Sequence, residues 1–290
     1  MKKLTIILSI AAMMLAVSCN KAEAPAQEEV VTYSVSMPVT KAVNADGSSI
    51  NKVWYALYKM DGTLVKDYGT VDFTGGNAHC SVVMMRGQSY KIAFVAQHDN
   101  VYTVSADAKT ITMPAAPQAN SDDYDLFYKL ETVEKYSGVT TDAVALDRAV
   151  ALVNFYSSES DWGNVTELGL VPDKSSVVLK DVPTTFNLLT GAPVETTTDV
   201  TYSKADMPSN VLIDESVHVA AAFCFAPTTN NIKAGVKLYK GDDVISEVEV
   251  DNVPVGSNKK TNITGSVMTG SVDFTISITT GVDETNREEI

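Results

Sequence analysis

"KVWYALYKMDGTLVKDYG", Lys52–Gly69, is the stretch that decides the fold class. Two β-prone runs flank Asp61-Gly62, and both turn residues tolerate positive φ, so the stretch reads as a hairpin. Alternation within it turns some of Trp54, Tyr55 and Tyr58 into the interior of a sandwich, which favours core packing over an exposed platform for stacking sugars. Upstream, Val31, Tyr33, Val35 and Met37 alternate with Thr32, Ser34 and Ser36, the period of a half-buried strand. Further strands are expected at Cys80–Met85, Tyr90–Gln97, Ala149–Tyr156, Val165–Val171 and Val177–Lys180. Others follow at Val217–Ala226, Ala234–Tyr239, Val244–Val250 and Ser271–Thr279. Helical periodicity is weak, with a short turn of helix expected only within Asp122–Lys135. Turn residues at fairly regular spacing point to all-β sandwiches. No tandem repeat of the solenoid or propeller kind is visible.

The chain opens with Met1-Lys2-Lys3, an apolar run from Leu4 to Val17, and the small Ser18 before Cys19. That is the layout of a secretory signal, and the run falls short of the roughly 20 apolar residues of a spanning helix. Ending in Leu15-Ala16-Val17-Ser18-Cys19, it resembles a bacterial lipoprotein signal, with Cys19 as lipidation site and first mature residue. Residues 1–18 are thus the signal peptide, and 19–30, including "NKAEAPAQEE", a flexible spacer between lipid and fold. The expected mature chain carries 20 basic and 36 acidic side chains, a formal charge of −16. That sign argues against nucleic acid, whose phosphates demand a basic surface, and against docking on anionic lipid. The membrane contact is then the anchor itself.

Cys80 and Cys224 lie in apolar, strand-like stretches and are expected to be buried thiols, a disulfide between them being the alternative. His79, His98 and His218 stand isolated, without a second ligand at metal spacing. No HExxH, Gly-x-Ser-x-Gly elbow or P-loop occurs. Asp122-Asp123 and Asp242-Asp243 are adjacent acids in turn-like sequence, and neighbours on a strand face opposite ways. The sequence therefore carries no catalytic residues, no metal site and no cofactor, and the expectation is a non-enzyme.

Several segments carry a family likeness. "VPTTFNLLTG" (Val182–Gly191), "NKKTNITGSVMTGSVDFTISI" (Asn258–Ile278) and "DRAVALVNF" (Asp147–Phe155) resemble segments of fimbrillin-like lipoproteins of the Bacteroidetes. "SDDYDLFYK" and "MPVTKAV" fit the same order. The resemblance implies two tandem transthyretin-like β-sandwiches, at 31–146 and 147–290, meeting near Ser137–Asp147. It implies a fimbria (pilus) structural, accessory or tip subunit in cell adhesion, lipid-anchored at the outer membrane and cell surface. Its partners would be other pilus subunits or host and bacterial surface ligands. In that family a trypsin-like protease cuts after the first strand, and subunits join by strand exchange. Lys41-Ala42 sits at the matching place, with lysine where better-known members have arginine; the other reading is a solvated loop lysine. Val272, Phe274, Ile276 and Ile278 share one face of the closing strand, as a donor strand requires. The alternative function is a surface lipoprotein that holds glycan beside an outer-membrane importer.

Overall fold

The computed structural model describes residues 27–38, 47–138, 141–208, 212–213, 216–270 and 274–280. The first half contributes β1 (Glu28–Ser36), β2 (Lys52–Lys59), β3 (Leu64–Asp72), β4 (Asn77–Met85), β5 (Tyr90–Gln97), β6 (Thr103–Val104), β7 (Thr110–Thr112), β8 (Phe127–Val133), β9 (Thr141–Ala145) and β10 (Asp147–Arg148). The second contributes β11 (Ala151–Ser157), α1 (Glu159–Glu167), β12 (Lys174–Pro183), β13 (Thr185–Asn187), β14 (Ala192–Pro193), β15 (Thr197–Asp206), β16 (Leu212–Ile213), β17 (Ser216–Cys224), β18 (Asn231–Lys240), β19 (Asp243–Pro254), β20 (Lys259–Gly265) and β21 (Phe274–Thr280). The protein is an all-β sandwich protein.

In the first half, the sheet β4-β1-β9 faces the sheet β10-β8-β5-β2-β3. Between them lies a core that includes Val31, Tyr33, Val35, Tyr55, Leu57, Cys80, Phe94 and Phe127. The Asp61-Gly62 hairpin is present: Gly62 takes φ +81°, and the Asp61 carboxylate accepts from the Thr63 amide at 2.8 Å. The run Val53–Tyr58 is buried at every position, because its sheet is covered on both faces. Val53, Tyr55 and Leu57 enter the sandwich core. Trp54, Ala56 and Tyr58 face the other way into a second core continuous with the second half. A strand apolar on both faces must have two covers.

That outer cover is a small sheet, β14-β13-β7-β6, built by both halves. Phe186 of β13 pairs with Ile111 of β7, and its ring meets Tyr128 edge-to-face at 4.9 Å and stacks on Phe225 at 5.4 Å. Tyr128 donates its hydroxyl to the Leu188 carbonyl at 2.7 Å. Asn187 closes the following turn by accepting from the Leu189 and Thr190 amides, with Gly191 at φ +69°. The segment Val182–Gly191 is thus an arm of the second half laid on the first.

The first half returns the embrace. The second-half sheets, β16-β17-β11-β20-β21 and β15-β12-β18-β19, pack face to face. The loop at 117–120 crosses the side where β15 and β17 lie. Ala119 donates to the Ser203 carbonyl at 3.0 Å and Asn120 to that of Ala221 at 3.0 Å. The Asn120 side chain accepts from the Ala221 amide at 2.8 Å. Strand edges that would stand open are thereby closed by the other half. Where Arg148 enters the junction, its guanidinium forks onto Asp125 at 2.8 and 3.0 Å, both side chains fully buried.

Several expectations need correcting. The strand expected at Val165–Val171 is the end of α1 and the coil after it. Ser158 caps this helix, accepting from the Asp161 amide, and Glu159 and Asp161 occupy its first turn. Those start signals outweigh the β-branched Val165 and Thr166. The short turn of helix expected within Asp122–Lys135 is present at Asp122–Tyr124, while Phe127–Val133 adds a strand that was not expected. The first strand begins at Glu28, inside the stretch read as spacer. Residues 141–145, read as part of the junction, form β9 against β1, and Asp147–Arg148 completes the sheet of β8.

Candidate assembly site: the first and last strands

β1 is the middle strand of its sheet, antiparallel to β4 on one side and parallel to β9 on the other. Val31, Tyr33 and Val35 point inward and are buried, with the Tyr33 ring 5.4 Å from Phe94. Opposite Tyr33 in the ladder stands Cys80, whose thiol burial pushes up to about 12. The slot that β1 fills thus has a backbone ladder on both sides and an apolar floor.

The strand is fastened at its ends. Glu29 pairs with Arg86 and accepts from the Tyr136 hydroxyl at 3.0 Å. The hydrogen bond from Arg86 lowers its pKa most, and that from Tyr136 adds to it against some desolvation. Arg86 also donates its amide to the Gln27 carbonyl at 3.2 Å, and at the other end Leu146 donates to Ser36 at 2.9 Å. Across the outer face, the hydroxyls of Thr32 and Ser81 meet at 2.9 Å.

β21 is a different kind of strand. Among the described residues it is an edge, paired with β20 alone, from Lys259↔Thr280 to Gly265↔Phe274. Phe274 and Ile276 are half-buried against the second-half core, and Ile278 is 39% exposed. Thr275 and Ser277 face solvent. The loop before it is held by Asp161, a buried carboxylate. Asp161 accepts from the Met268 amide (2.8 Å), from the Thr269 amide (3.1 Å) and hydroxyl (2.7 Å), and from the Ser157 hydroxyl (2.9 Å). Sequence reasoning missed this anchor, since its signal, an acid three residues after an N-cap serine, was masked by the β-branched residues downstream. Cys19, Lys41, Ala42 and Val272 lie outside the described residues.

Cys80 and Cys224 are free and buried. His79 is exposed on β4, and His218 is buried with its ring stacked on Tyr156 at 4.8 Å. His98 lies 3.4 Å from Asp99 and 3.5 Å from Asp123. Among the described residues, no group of three or more His, Cys, Asp or Glu side chains is placed to hold a metal. The geometry sets a central strand in an apolar slot beside two partner strands and an edge strand with the same period-two alternation.

The fold is shared with solved proteins from Bacteroidetes. The chain belongs to a family of unknown function, DUF6562, which matches residues 12–290. It is similar to a proposed polysaccharide-binding protein (DUF1812) of Bacteroides thetaiotaomicron, with TM-score 0.53 and 10% identity over 86% of this chain and 98% of the other. A proposed adhesin of the same organism gives TM-score 0.50 and 10% identity over 89% and 98%. A proposed cell adhesion protein of Parabacteroides distasonis gives 0.50 and 9% over 86% and 95%. At these identities the likeness is one of fold. No curated protein sequence matches this chain.

Proposed function

We propose that this protein is a fimbrillin-like surface subunit, structural or accessory in an adhesive fimbria, exported as a lipoprotein anchored through Cys19 at the outer membrane. The observation that carries the reading is the position of β1: a central strand, inward residues fully buried, followed within a few residues by Lys41. Cutting after Lys41 would free β1 to leave, and the vacated slot between β4 and β9 would accept a strand from a neighbour, restoring the ladder and filling the floor. β21 has the period to serve as that donor. The reading assigns the protein no catalytic step; its work is binding and assembly. The names of the adhesin neighbours agree with it. The glycan-binding alternative calls for an exposed aromatic platform, and Trp54, Tyr55 and Tyr58 are all buried.

The test is the N-terminal residue of the protein recovered from the cell surface. Ala42 supports proteolytic maturation and strand release. Cys19 on all recovered protein would confine the subunit to an anchored, unexchanged role. A form with neither end, found inside the cell, would overturn the surface reading altogether.

A further inference from the structure

Among the described residues β4 is the edge of its sheet, and an edge carries a row of unpaired backbone groups. The bond from the Arg86 amide to the Gln27 carbonyl extends the β1–β4 ladder, and bonded pairs alternate along such a ladder. Val82 and Met84 therefore bond to β1, whereas the amides and carbonyls of Ser81, Val83 and Met85 point outward. Three tyrosines of the facing sheet reach those outward groups. Tyr55 of β2 donates its hydroxyl to the Ser81 carbonyl at 3.3 Å. The Val83 amide donates to the Tyr68 hydroxyl of β3 at 2.9 Å, and the Met85 amide to the Tyr90 hydroxyl of β5 at 3.1 Å. The Met85 carbonyl accepts from the Gln88 amide at 3.3 Å. The rings are set by their own packing: Tyr68 stacks on Tyr55 at 5.3 Å, Tyr55 on Phe94 at 6.4 Å, and Tyr55 and Tyr90 are buried. β9, the other wall of the β1 slot, is also held by groups outside β1. Just beyond it Asp147–Arg148 pairs with β8. Ahead of it Tyr136 accepts from the Gly87 amide and donates to the Gln88 carbonyl, both at 2.8 Å.

We propose that Tyr55, Tyr68 and Tyr90 are positioning residues that fasten β4 to the facing sheet independently of β1. With β1 gone, β4 and β9 stand two strand spacings apart, about 9.6 Å. Closing that gap from the β4 side shifts the strand by about 4.8 Å, which breaks every tyrosine bond. The slot therefore keeps its width, and an entering strand meets a preformed site instead of having to rebuild one. The same hydroxyls close the outer edge of β4, where the exposed side chains of Val83 and Met85 would otherwise favour a strand pairing on the wrong side. The fastening stands by itself; its use for strand entry rests on the proposed exchange.

The test is hydrogen exchange of the full chain resolved to single amides, because the two sides of β4 report the two holds separately. Tyr68→Phe with Tyr90→Phe keeps both rings and removes both hydroxyls. Exchange at Val83 and Met85 should quicken about tenfold, the scale of one hydrogen bond, while Val82 and Met84 keep their rates. Tyr128→Phe removes a hydroxyl that bonds Leu188 in the other core and should move none of the four. Tyr33→Ala, or the milder Val35→Ala, loosens β1 and should do the reverse, quickening Val82 and Met84 about tenfold more than Val83 and Met85. Unchanged outward amides in the phenylalanine pair, an equal effect of Tyr128→Phe, or all four amides quickening together in either kind of variant would overturn the fastening. If the phenylalanine pair behaves as expected and neither alanine variant moves Val82 or Met84, the fastening stands and the release of β1 fails.

Discussion

If β1 is the releasable strand, weakening its hold should expose Cys80 and leave Cys224 covered. Tyr33→Ala is the perturbation. Tyr33 is 2% exposed, packs on Phe94 and lies opposite Cys80, so its truncation removes a buried aromatic and leaves a cavity, at about 3–5 kcal/mol. Both thiols are held at about 12 by burial, so each reacts only after an opening that reaches it. With reclosing faster than labelling, the rate follows the opening equilibrium. If all of the loss falls on opening of β1, Cys80 labelling accelerates between about a hundredfold and a few thousandfold, at about 1.4 kcal/mol per factor of ten. Cys224, in β17 of the other core, should gain far less. Time-resolved thiol labelling read by peptide mass separates the two. Equal acceleration at both cysteines would show that β1 opens only when the whole molecule does, and the release argument would fail.

Four further outcomes are expected. Arg148→Met alone strands a buried Asp125 carboxylate and should cost about 3–5 kcal/mol in denaturant unfolding, whereas Arg148→Met with Asp125→Leu should recover most of it. Asp161→Ala removes the acceptor of four hydrogen bonds and should cost about 2–4 kcal/mol; hydrogen exchange should quicken first at 266–270, and exchange confined to β1 would contradict the anchoring role. Burial holds the His218 imidazole down at about 4, below its unfolded value of about 6.5, so the unfolded chain takes the proton first as pH falls. Stability is then full above about pH 6.5 and drops by about 3 kcal/mol on the way to pH 4, and His218→Gln should flatten that slope in pH-dependent melts. Cys19→Ala should abolish metabolic labelling with fatty acid, and undiminished labelling would exclude Cys19 as the acylation site.

The strands were legible where one face meets water. β4 alternates strictly between buried and exposed positions, and β1 and β18 between buried and partly exposed ones, and the period-two pattern finds them. β2 was legible through its hairpin turn, although its unbroken burial gave no hint of what covers the second face. β13 and β7 are three residues each, too short to show a period, so the interlocking of the halves left no mark in local sequence. The stretch holding β9 reads as a junction because the strong strand of "RAVALVNFY" begins just after it; the strand character of β9 comes from pairing with β1, more than a hundred residues upstream. α1 was misread because two β-branched residues were weighed above a serine cap and an acidic first turn.

The candidate site shows the same division, and it bears on which strand moves. Alternation alone made β1 and β21 look equivalent, each a row of apolar residues at period two. The fold separates them. β1 has a neighbour on each side and three inward side chains fully covered, so its departure leaves two bare ladders and an apolar trough. β21 has one neighbour and a half-covered face, so its departure from β20 costs fewer contacts. An exchange that trades a poorly covered edge for a fully covered slot gains burial for Phe274, Ile276 and Ile278 at about 25 cal/mol per Å² of apolar surface removed from water. Energetics thus favour a β21-like strand entering the slot over β21 remaining where it is, once β1 has gone. What opposes it is the Asp161 anchor, which accepts three hydrogen bonds from Met268 and Thr269 in the loop before β21 and a fourth from Ser157 of β11. Under the proposed exchange, the acceptor side would open by departure of β1, and release of β21 would have to overcome the hydrogen bonds that Asp161 makes to the loop before it.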